Sequence, residues 1–186
     1  MIPTHLNCPE VEARIIDSVQ EIFSTMVKLT VVVSPSTGDE EYSLDDSISG
    51  IIGFTGLYKG VLAIHLPSPV AMTITGNLLG VDVAEINEEV EDAVGELANI
   101  LGGSVKELFA ANGRDIELSL PSTISGAHYD VLPAKEARRH RIHFTTAAGP
   151  FSVELQHEES TAIDIAVPAG AGERKTAVAN EKRADL

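Results

Sequence analysis

The segment EDAVGELANILGGSVKELF, residues 91–109, constrains the fold more than any other stretch of the chain. At about 100° per residue, Val90, Val94, Leu97, Leu101, Val105 and Leu108 fall on one side of a helix. A stripe of that length has to face a core. Asp92, Glu96 and Asn99 fall on the other side, with Glu96 and Asn99 within about 40° of Asp92 on the same wheel. Gly102 and Gly103 follow them. Two glycines inside a helix cost up to about 1 kcal/mol each relative to alanine. Either something approaches the helix closely there, or the helix packs tightly on what lies behind it.

The rest of the chain supplies that core. Residues 9–28 read as a first amphipathic helix, with Val11, Ile15, Val19, Ile22 and Met26 in one stripe and Pro9 in its first turn. The β-branched run LTVVVSP, 29–35, reads as a strand that ends at proline. Residues 36–46 read as a polar loop. SISGIIGFTG and YKGVLAIHLP read as two strands joined by a tight turn at Leu57–Gly60. A helix follows over 68–80, with Ser68 as cap, Pro69 in the first turn and Gly80 past the last. Asp82 with Glu85 could cap a short turn, or Asn87 could cap the long helix directly. Glu88, Glu89 and Glu91 complement the positive end of the helix dipole. The helix is expected to run to about Asn112. DIELSLP reads as a strand, 122–137 as irregular, and RIHFTTAAGPFSVELQHE as a hairpin turning at Ala147–Pro150. TAIDIAV reads as a short edge strand.

These elements give an α/β (α+β) sandwich, one mostly antiparallel sheet of about six strands with three helices. With 186 residues the chain is long enough for one domain with a substantial core. Residues 1–168 form that domain, and the Ala-, Gly-, Lys- and Glu-rich residues 169–186 form a flexible tail. Aromatics are only 4 % of the chain and tryptophan is absent, so the core is expected to be aliphatic.

The two halves match in order. Asp17, Glu21 and Ser24 on the first helix repeat the spacing of Asp92, Glu96 and Asn99. SISG at 47 returns as TISG at 123, and GFTG at 53 as HFTT at 143. Together these point to duplication about a pseudo-two-fold axis.

A formal net charge of −15 opposes binding to nucleic acid. The one basic run, Lys135 to Arg141, reads as a solvated loop and strand start. Cys8 has no partner for a disulfide, and no CxxC motif points to zinc. His140 and His143 point to opposite faces of a strand and make a poor metal pair; His65 reads as a strand surface residue. No signal peptide or membrane span is expected, and the expected location is cytoplasmic.

The long helix has no activated nucleophile beside its polar line. An amide can hold a water by donating and accepting hydrogen bonds, and a carboxylate can grip a lysine or arginine. Such a pair is suited to insertion into a partner's active site, where orienting a water contributes several kcal/mol.

At this point a resemblance emerges. Asp92-x-x-x-Glu96-x-x-Asn99 followed by Gly102-Gly103 is similar to the signature helix of the CheC/CheX/FliY phosphatases of bacterial chemotaxis. GFTGLYKGVLAIHLPSPVAMTITGNLLG is similar to that family's hairpin, strand and following helix. CheC-like chains carry the Glu/Asn pair on both repeated helices; here Ser24 replaces the first Asn, which favours the CheX type with one site. The resemblance implies a phosphatase acting on the phospho-aspartate of a CheY-like response regulator, with Glu96 and Asn99 catalytic. It assigns Asp92, Gly102 and Gly103 to support or partner contact. It also implies a homodimer, no metal held by this chain, and Mg²⁺ carried by the regulator. The alternative is a non-catalytic binding module of the same fold, docking a regulator or a flagellar switch component.

Overall fold

Helix α1, Cys8–Ile22, runs straight into a π-helical turn, Phe23–Val27. Lys28 closes that turn in the left-handed conformation (φ 62°) and donates its backbone N–H to the Phe23 carbonyl. The computed structural model describes residues 8–35, 44–109, 116–129 and 137–160. The expected edge strand in TAIDIAV and the tail from residue 169 lie outside them.

The π turn overturns part of the sequence reading. Val11, Ile15, Val19 and Ile22 are buried as the stripe requires, but Met26 is 43 % exposed. A π turn holds more residues than an α turn, so it shifts the phase of the stripe and turns Met26 outward. Phe23 and Val27 take the buried positions instead. Of LTVVVSP only Val32 and Val33 form a strand, β1 (Val32–Val33).

The hairpin that follows is β2 (Leu44–Gly56) and β3 (Tyr58–Pro67). Its turn lies at Gly56 and Leu57, earlier than the spacing predicts, with Gly56 at φ 138°. Gly60 sits inside β3 for a different reason. A Cβ there would stand 2.0 Å from the Gln156 carbonyl oxygen of the neighbouring strand.

Helix α2 spans Ser68–Leu79 and ends at Gly80 in the left-handed conformation. Ser68 does not cap it. Pro67 is the N-cap residue, and the Ser68 hydroxyl donates instead to Asp46 Oδ1 (2.9 Å). Helix α3, Glu88–Phe109, starts at Asn87, whose Oδ1 accepts the Val90 N–H at 3.1 Å. Strands β4 (Ile116–Leu118), β5 (Ser122–Tyr129), β6 (Arg138–Thr146) and β7 (Gly149–Glu159) complete the described chain. β5 falls where the sequence reads as irregular. It is an edge strand with mostly exposed residues, so it lacks the apolar alternation that marks a half-buried strand.

Among the described residues the sheet therefore has seven strands rather than six, in the order β1-β6-β7-β3-β2-β4, with β5 also pairing β2, and every pairing there is antiparallel. The order reads the same backwards when β1 exchanges with β4, β6 with β2 and β7 with β3. GFTG and HFTT fall near the ends of exchanged strands. SISG and TISG do not: they lie on β2 and β5 and pair with each other, Ser49 opposite Ile124. Duplication thus stays an expectation of the sequence.

All three helices pack on one layer. Val94, Leu97, Ala98, Leu101 and Val105 of α3 join Val11, Ile15 and Val19 of α1 and Ile48, Ile52, Leu62 and Ile64 of the sheet in one core. Two glycines set the distance between α3 and β2. A Cβ on Gly50 would meet the Val94 carbonyl oxygen at 2.6 Å, and one on Gly102 would meet Ile52 Cγ2 at 2.9 Å. The backbone of α3 lies almost directly on β2.

The opposite face of the sheet carries buried polar groups. His65 is fully buried rather than on the surface, and its Nδ1 lies 2.6 Å from Ser49 Oγ, which also meets the Tyr129 hydroxyl at 2.7 Å. Burial lowers its pKa to about 4, against a raising influence of Glu154 and with lowering ones from Arg141 and Arg139. The basic run is not simply solvated. Arg139 Nε donates to Glu154 Oε1 (2.8 Å), Arg141 Nε to Glu154 Oε2 (2.6 Å), and Gln156 Nε2 to Glu154 Oε1 (2.7 Å). Burial alone would raise the Glu154 pKa; these donors and the Arg141 charge bring it below its usual value.

Candidate active site

Because α3 buries Val90, Val94, Leu97 and Leu101 against the sheet, the residues half a turn away must face outward. Asp92, Glu96 and Asn99 are all exposed, in one line. Among the described residues none of the three side chains has a hydrogen-bond or ion-pair partner. They are free to meet another molecule, and no cation among the described residues neutralises the two carboxylates.

The glycines after this line divide their work. Gly102 is buried and faces Ile52, so it permits close helix–sheet packing and does not lie on the contact surface expected for it. Gly103 has nothing within 4 Å of where its Cβ would be, so it keeps the outer surface low beside the line.

The matching residues of the first helix are arranged differently. Asp17, Glu21 and Ser24 are exposed. The Ser24 hydroxyl donates to the Glu21 carbonyl oxygen (3.0 Å), as does that of Thr25 (2.6 Å). The side chain at the amide's place is therefore turned back onto its own helix, at the point where the helix opens into the π turn.

Sequence spacing misses one feature beside the line. Met26, Leu78, Leu79, Ala93, Leu97 and Ile100 line a groove of about 400 Å³, with Glu89, Asp92 and Glu96 also on its wall. Its walls come from the π turn, the end of α2 and the flank of α3. Only the two half-exposed residues Met26 and Leu79 (43 % and 52 %) could have signalled it, and Met26 reads as an ordinary stripe residue of the first helix. A larger hollow of about 1010 Å³, lined by Lys28, Pro69, Gly76, Gly80 and Val81 among others, touches none of the polar line.

Among the described residues no group of three or more His, Cys, Asp or Glu is placed to hold a metal ion. No helix is long and apolar enough to cross a membrane among those residues.

Helices laid on one antiparallel sheet in this way are the fold of CheX and CheC-like chemotaxis proteins. The family model described as chemotaxis phosphatase CheX matches residues 48–145, just over half of the chain, and the chain belongs to that family. It is 22 % identical over 120 residues to the CheY-P phosphatase CheX of Thermotoga maritima, covering 62 % of this chain and 77 % of that one. The crystal structure of chemotaxis protein CheX from Vibrio vulnificus superposes with a TM-score of 0.71 and 28 % identity, over 80 % of this chain and 99 % of that one. The CheX of the CheX–CheY–BeF3–Mg²⁺ complex from Borrelia burgdorferi has the same fold, with a TM-score of 0.65 and 14 % identity over 80 % and 98 % of the two chains.

Proposed function

We propose that this chain accelerates hydrolysis of the phospho-aspartate of a CheY-like response regulator. The observation that carries the proposal is the exposed, unpartnered pair Glu96 and Asn99 on the α3 face of a CheX-family protein. A phospho-aspartate is a labile acyl phosphate, and water attacks its phosphorus in line with the leaving carboxylate. The phosphorus–oxygen bond to aspartate breaks as the bond to water forms, yielding inorganic phosphate and free aspartate. Mg²⁺ and a lysine on the regulator side neutralise the phosphoryl charge, so positioning the water is the main task left.

Asn99 supplies that positioning: its carboxamide oxygen accepts from the water and its NH₂ donates, which orients a lone pair toward phosphorus. Glu96 pairs with the regulator's lysine and fixes the register of docking. Asp92 supports the contact, and Gly103 permits close approach. We further propose that the protein works in the cytoplasm as a homodimer, and that it holds no metal of its own.

The test is the decay of a phosphorylated CheY-like regulator alone, with this protein, and with its Asn99→Ala variant. The wild type is expected to speed decay and Asn99→Ala to lose about 100-fold of that acceleration, the order of effect of a misplaced reactant. An unchanged circular dichroism spectrum is expected, because Asn99 is exposed. Equal decay with the variant and the wild type would refute the mechanism.

A further inference from the structure

We infer that the groove between the π turn, α2 and α3 is a docking site for a segment of the response regulator, one with apolar side chains flanked by lysine or arginine. The inference rests on the proposed function for its partner, and extends it from the reacting residues to what selects the regulator.

Three observations carry it. The groove is apolar in its walls, through Met26, Leu78, Leu79, Ala93 and Ile100, and two of these are half-exposed side chains that a protein gains by covering. Its volume of about 400 Å³ is enough to receive anchoring side chains. It is continuous with the polar line, because Asp92 and Glu96 belong to both. A partner seated on Glu96 therefore extends over the groove.

The charge of the walls defines what covers it. Glu89, Asp92 and Glu96 border the apolar floor without a cation beside them among the described residues. An acidic partner segment would be repelled and a purely apolar one would leave three carboxylates partly desolvated and unpaired. An apolar segment with a lysine or arginine beside it satisfies both parts. The groove thus acts as a selectivity element: it changes which regulator binds and how tightly, while Asn99 governs the chemical step.

The experiment measures binding of a panel of CheY-type receiver domains, each loaded with Mg²⁺ and beryllofluoride, which mimics the phosphoryl group and is not hydrolysed. For every receiver that binds, Leu79→Asp and Met26→Gln are expected to weaken binding about tenfold. In turnover of the phosphorylated receiver they raise KM by the same factor and leave kcat unchanged. Both sites are half-exposed, so the fold tolerates the changes. Val81→Asp, half-exposed in the hollow on the other side of α2, leaves binding unchanged. Asn99→Ala lowers kcat with little effect on binding.

Binding unaffected by both groove variants overturns the inference and leaves the proposed function standing. Groove-dependent binding without any hydrolysis leaves the inference standing and refutes the proposed function. Failure of every receiver to bind overturns both. A change in oligomeric state caused by Leu79→Asp, measured by light scattering, overturns the inference by assigning the groove to a second copy of this chain.

Discussion

The first helix and α3 carry the same spacing of polar residues, yet they sit on the sheet in different ways. Under α3 the sheet offers glycine: Gly50 of β2 leaves room for the Val94 carbonyl, and Gly102 of the helix leaves room for Ile52. Under the first helix it offers aromatic rings. Phe23 stacks on Phe151 with centroids 4.8 Å apart, and Phe144 stacks on Phe151 at 5.2 Å. One helix is held close and stays regular for 22 residues; the other meets aromatic rings at its end, where it opens into a π turn. Only the regular helix keeps an acid and an amide in line on its outer side. The proposed site depends on what lies beneath the helix, not only on the residues that face out.

Four changes probe that comparison, beyond the Asn99→Ala assay already described. Phe151→Ala removes the ring on which Phe23 packs and is expected to cost about 3–5 kcal/mol in denaturant unfolding. A loss below about 1 kcal/mol would mean that aromatic packing does not hold the first helix. Gly50→Ala forces a methyl against a backbone oxygen and is expected to cost about 1–3 kcal/mol. It should also lower phosphatase activity, since α3 has to lift. Full activity in that variant would show that the close seat of α3 serves stability alone.

The third change concerns the polar face that both halves of the sheet share. His65 has a folded pKa of about 4, below the unfolded value near 6.5. Between these values the unfolded chain binds more protons, so stability falls as pH drops from about 6.5 toward 4. The loss from this residue reaches about 2 kcal/mol by pH 5 and levels off below pH 4. His157, also lowered by burial, adds in the same direction. His65→Asn should reduce the pH slope of unfolding in this window by about one proton; an unchanged slope would refute the assignment. The smallest effect is expected from Ser24→Asn in an Asn99→Ala background. It places an amide on the first helix without the regular backbone, and activity should stay at background. Recovered activity would mean that residue identity, not helix geometry, keeps the first helix inactive.

Much of the architecture could be read from local pattern. The three helices, the β2–β3 and β6–β7 hairpins and the Asn87 cap all follow from periodicity, turn residues and capping chemistry over a few neighbouring positions. The polar line was legible for the same reason, because side chains three and four apart on a helix share a face. The misreadings share a cause as well. β5 is a strand because β2 pairs with it, not because its own residues alternate. His65 looked like a surface residue because burial on a sheet's second face depends on distant chain.

The sequence by itself therefore determined the three helices, the two hairpins, the CheX-family signature and the outward line of Asp92, Glu96 and Asn99, since each depends on short-range spacing. Tertiary structure alone decided that Gly102 packs inward while Gly103 stays open, and that Met26 leaves its stripe. It also brought Met26, Leu79 and Ile100 together beside Glu96. These are relations between segments far apart in the chain, and no local period encodes the distance at which one segment comes to rest on another.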